Sequence, residues 1–60
     1  MQTYRARGIR KGRTVNKLVR ATTDDGAREG ARTVATRHGF ELKKLFRLGR
    51  PNRPDEIALA

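Results

Sequence analysis

The chain has 60 residues, 15 of them Lys or Arg and 6 Asp or Glu, for a formal net charge of +9. A chain of this length makes one domain at most and buries only about 60% of its unfolded surface. With no cysteine and one histidine, it has no disulfide and no thiolate metal site, and it cannot build a zinc centre alone. No apolar run approaches the roughly 18 residues of a membrane span and no signal peptide is visible, so a cytoplasmic location is the expectation.

The predicted elements run in the order β-β-α-β. Thr3 to Arg10 reads as a first strand in which Tyr4 and Ala6 alternate with Arg5 and Arg7, one face apolar and the other basic. Gly8 interrupts the alternation and marks a bulge or twist. Arg10, Lys11, Gly12 and Arg13 form a turn in which the glycine accepts a positive φ. Thr14 to Thr22 is a second strand, with Val15, Val19 and Ala21 on one face and Asn16, Leu18 and Arg20 on the other. The two strands should pair as an antiparallel hairpin.

Thr23 to Gly39 reads as a helix. Thr23 is placed as N-cap, Asp24 and Asp25 sit in the first turn where carboxylates suit the positive helix end, and Gly39 suits the left-handed stop. Ala27, Ala31, Val34 and Ala35 form a narrow stripe that Gly30 and His38 extend. A stripe of alanines requires close approach, which points to a helix lying on a sheet. Phe40 to Leu45 reads as a third strand with Phe40 and Leu42 on one face. It runs parallel to the second strand through a right-handed crossover, beside either strand one or strand two.

The expected fold is α+β, a three-stranded sheet with one helix on one face, spanning residues 1–46. Residues 47–60 read as a flexible basic tail rich in Arg and Pro, with a short helix over DEIALA after Pro54. The core candidates are few and include Ile9, Leu18 and Phe46 alongside Tyr4, Leu42 and Leu45, so a second copy of the chain is expected to complete the core as a homodimer.

No Ser-His-Asp or Cys-His set and no phosphate-cradling glycine loop is present, and no enzyme, cofactor or metal is expected. His38 is read as a helix-ending residue packed on the sheet, and Asp24 and Asp25 as a helix start. The charge points instead to a polyanion. Arg5, Arg7, Arg10, Lys11, Arg13, Lys17 and Arg20 lie along the hairpin, and a two-stranded ribbon fits a major groove with its cations on phosphates. Arg5, Arg7, Asn16 and Arg20 make an outward polar face in which arginine and asparagine suit base edges. Tyr4, Phe40 and Phe46 are the only aromatic residues, and all three are assigned to the core, which disfavours binding by stacking and favours DNA. In the tail, Arg47, Arg50 and Arg53 add phosphate contacts. Gly49-Arg50-Pro51 resembles the core of AT-hook peptides, which implies an extended segment in the minor groove.

The series Tyr4-Arg5-Ala6, Gly12-Arg13-Thr14-Val15, Val19-Arg20-Ala21, Ala27-Arg28 and Arg37-His38-Gly39-Phe40 is similar to the small N-terminal soluble segment of the inner-membrane platform proteins of type II secretion and type IV pilus systems. The resemblance implies the β-β-α-β order and a protein-docking role. The residues taken together favour a small nucleic-acid-binding protein, an accessory or regulatory factor of a phage, plasmid or bacterium. The alternative is a docking module or inhibitor that turns its basic face or sheet edge toward an acidic protein.

Overall fold

The computed structural model describes residues 1–49 and 54–59. The elements are β1 (Gln2–Arg10), β2 (Arg13–Ala21), α1 (Asp24–His38), β3 (Glu41–Arg47) and β4 (Asp55–Ile57). They form a small α+β domain: one antiparallel sheet in the order β2-β1-β3-β4, with the helix against one face. No described helix is long and apolar enough to cross a membrane.

The hairpin turns through Lys11 at φ 51° and Gly12 at φ 77°. Two successive positive φ values match the right-handed twist of the strands they join. The helix begins as expected: the Thr23 hydroxyl accepts from Gly26 N–H at 3.0 Å. It ends in a Schellman arrangement, Phe40 N–H donating to the Ala35 carbonyl at 3.0 Å and Gly39 N–H to the Thr36 carbonyl at 3.4 Å, with Gly39 at φ 69°. Ala27, Ala31 and Ala35 are buried and Val34 partly so. His38 departs from the expected stripe: it lies in the last turn of the helix and is exposed.

Strand three settles beside strand one. β3 pairs antiparallel with β1, so β2 and β3 run parallel with β1 between them and the helix crosses over it. The β1–β3 ladder shifts register between Arg7 and Gly8: Arg7 opposes Lys44 and Gly8 opposes Leu42, leaving Lys43 as an extra residue. The irregularity falls opposite Gly8 but in β3. Gly8 does not interrupt the alternation of β1 as expected, being buried in phase with Tyr4 and Ala6, and the site is too tight for a side chain. A Cβ there would collide with the Phe40 ring and the Glu41 carbonyl.

The sheet has four strands rather than three. The segment expected to form a terminal helical turn is β4, paired to β3 with Leu45 opposite Ile57 and Arg47 opposite Asp55. A helical turn of this length would satisfy few of its own backbone groups, whereas the open edge of β3 offers a ready ladder. Ile57 enters the same core as Tyr4, Ala6, Val19, Ala21, Ala27, Ala31 and Leu45. The thin core that suggested a second copy is thus extended by the chain's own last strand. Ile9 and Leu18, named as core candidates, are 42% and 67% exposed, since both lie on the side of the sheet away from the helix.

Candidate nucleic-acid interface

Pairing partners in a sheet point to the same side, so the register sorts the cations. Tyr4, Ala6 and Gly8 of β1 face the helix and are buried. Arg5 and Arg7 therefore face the other way. Their ladder partners build the rows of that open face: Leu18, Arg5, Phe46 and Glu56 in one row, and Asn16, Arg7 and Lys44 in the next. Arg20, opposite Thr3, belongs to the same face. The expected outward set of Arg5, Arg7, Asn16 and Arg20 therefore shares one surface.

Its centre is Phe46. The Arg7 guanidinium carbon lies 4.9 Å from the Phe46 ring centroid and that of Arg5 5.5 Å, within cation–π range. Arg7 Nε also donates to Asn16 Oδ1 at 3.5 Å. Arg5 Nε is buried with no hydrogen-bond partner among the described residues. The two acids of this face are both near lysines: Glu41 is 3.1 Å from Lys43 Nζ and Glu56 is 4.0 Å from Lys44 Nζ. Arg5, Arg7 and Arg20 form no ion pair among the described residues.

The other expected cations are placed elsewhere. Lys17 opposes Ala6 and so belongs to the helix side, half-buried. Arg10 and Arg13 oppose each other on that same side beyond the end of the helix, and Arg10 donates to the His38 carbonyl at 3.2 Å. Together with Lys11, Thr14 and Val15 they line an open hollow at the hairpin end. Arg47 is occupied within the fold, 3.5 Å from Asp24 and 3.1 Å from Asp55. Asp24 in turn accepts from the Tyr4 hydroxyl at 2.8 Å. Burial, then the bond to Asp24, raises the Tyr4 phenol above its usual range, and the bond to Asp55 raises Arg47. Arg50, Arg53 and all of the AT-hook-like triplet except Gly49 lie outside the described residues.

Two members of the open face were not anticipated, Phe46 and Lys44. Strict alternation from Phe40 and Leu42 puts Lys44 toward the helix and Leu45 outward. The extra residue at Lys43 inverts the phase, so Leu45 is fully buried and Lys44 and Phe46 face outward. Phe46 is therefore a surface ring shielded by arginine stems, not a core residue as expected.

Asp24 belongs to the network just described, and among the described residues no group of three His, Cys, Asp or Glu gathers to hold a metal. No protein-family model, no curated protein and no solved structure matches this chain.

Proposed function

We propose that this is a small nucleic-acid-binding protein that grips phosphates through the open face of its sheet. The observation that carries the reading is the gathering of Arg5, Arg7, Arg20 and Lys44 on the face the helix leaves free. Three of these cations have no carboxylate partner among the described residues, so they meet a phosphate without first breaking an ion pair. Asn16, fixed beside Arg7, adds a side chain suited to base edges. The tip residues Lys11 and Arg13 extend the positive potential and speed encounter.

Fluorescence anisotropy with mixed-sequence oligonucleotides at 50 and 200 mM salt tests this. Four phosphate contacts predict a loss of roughly two orders of magnitude in affinity over that interval. A flat salt response, or no binding at 50 mM, refutes the reading. The face then serves an acidic protein, with the exposed Leu18 and Ile9 as its apolar contacts. That is the docking role implied by the resemblance to secretion-platform segments, and a pull-down from nuclease-treated lysate would recover the partner.

A further inference from the structure

We infer that the ligand of the open face is a single-stranded polynucleotide, held by stacking of an unpaired base on the Phe46–arginine cluster. The inference rests on the nucleic-acid reading above and names its substrate class.

Three observations lead to it. First, the basic hairpin is not a free ribbon. β1 is paired on both edges, with β2 on one side and β3 on the other. Four strands at about 4.8 Å spacing put the outer strand axes about 14 Å apart before side chains are added. A B-DNA major groove is only about 12 Å wide. The face presented to a ligand is a platform, which a double helix can touch only along its backbone.

Second, an aromatic ring occupies the middle of that platform. Phe46 stands opposite Arg5 on the neighbouring strand, with the guanidinium groups of both Arg5 and Arg7 over its ring. A ring in the centre of a phosphate-gripping surface gains nothing from a duplex, whose bases are already stacked on each other. It gains a stacking partner from an unpaired base, and guanidinium planes add further stacking surface. The long arginine stems keep the ring half-buried in the free protein, so it is not an exposed apolar liability.

Third, cations stand in the rows on either side of the ring's own row along the strands, Arg7 and Lys44 in one and Arg20 in the other. The neighbour of Phe46 on β4 is Glu56. Arg5 and Arg7 stand two residues apart on β1, about 7 Å along the strand. Lys44 follows on β3 and Arg20 lies beyond on β2. A chain running along the strands with one base down on Phe46 therefore has a cation near the backbone on either side of that base, and it avoids Glu56 at the β4 edge. Neither the stack nor the arginine–phosphate contacts use a 2′-hydroxyl, so DNA and RNA strands should bind within a few-fold of each other.

The test compares a 20-nucleotide DNA strand, the RNA of the same sequence and the corresponding DNA duplex, at 50 and 200 mM salt. The wild-type protein should bind either single strand at least about tenfold more tightly than the duplex, and Phe46→Leu should lose about tenfold on single strands. The salt slope of Phe46→Leu should stay unchanged, because no phosphate contact is removed. Phe46→Trp keeps the stack and supplies the chain's only tryptophan. Its fluorescence should be quenched by single strands and left nearly unaltered by duplex, and circular dichroism confirms that both variants fold. Equal or tighter duplex binding, or single-strand binding that leaves the Phe46→Trp fluorescence unquenched, overturns the stacking inference while the phosphate-gripping reading survives. Absence of binding to all three ligands at low salt overturns both.

Discussion

The two faces of the sheet use arginine in opposite ways. Toward the helix, arginines hold the fold together. Arg28 donates to the Ala58 carbonyl at 2.6 Å and Arg32 to that of Leu59 at 2.7 Å, strapping the segment after β4 to the helix. Arg28 also pairs with Asp25 within the first turns. Arg47 joins the helix start to β4 through Asp24 and Asp55, and Arg10 caps a carbonyl at the helix end. Away from the helix, Arg5, Arg7 and Arg20 make none of these ties among the described residues; they lie around Phe46 or stand in solvent. A net charge of +9 therefore overstates the binding surface. Part of it is structural, and the salt response should report about four contacts rather than the full excess.

The largest effects should come from the helix side. Leu45 is fully buried, and Leu45→Ala should cost about 2–5 kcal/mol. A domain of this size rarely has more than about 3–5 kcal/mol in total, so the variant should be largely unfolded in a thermal melt followed by circular dichroism. Ile57→Ala comes next at about 2 kcal/mol, less than a central site because β4 is a short edge strand. A wild-type melt for Ile57→Ala would mean that β4 does not contribute to the core, and the contrast between faces would lose its C-terminal half.

Smaller effects separate the two classes of cation. Arg47→Gln should lower the melting temperature by a few degrees, its ion pairs being partly exposed and screened, and should leave affinity for nucleic acid almost unchanged. The same network gives an alkaline signature. The folded-state pKa of Tyr4 is raised, so its contribution is present below the unfolded value of about 10 and is lost as pH rises through the folded value. Melts between about pH 8 and 11 should show wild type losing stability more steeply than Tyr4→Phe; parallel curves would remove Tyr4 from the network. Arg20→Gln should have the least effect on stability, within about 0.5 kcal/mol. It should nonetheless reduce the salt slope by about 0.7–0.9, the share of one phosphate. If Arg47→Gln weakened binding and Arg20→Gln weakened the fold, the division between the faces would be reversed.

Local chemistry was enough to place most of the elements. The N-cap Thr23, the glycine stop at Gly39, the hairpin turn at Gly12 and the alternation of Tyr4 and Ala6 with Arg5 and Arg7 all act within a few residues, so each was readable along the chain. The apolar alanine stripe likewise announced a helix lying on a sheet. Long-range pairing decided the rest. The position of β3 beside β1, the fourth strand and the engagement of Arg47 depend on partners far apart in sequence. The phase of β3 turned on one extra residue opposite Gly8, where the Phe40 ring occupies the space a side chain would need. The sequence by itself determined that this chain is a basic α+β unit with an arginine-bearing sheet. Only the tertiary structure decided which arginines are tied into the fold and that Phe46 stands among the free ones, because a strand's period of two lets a single bulge exchange inside for outside.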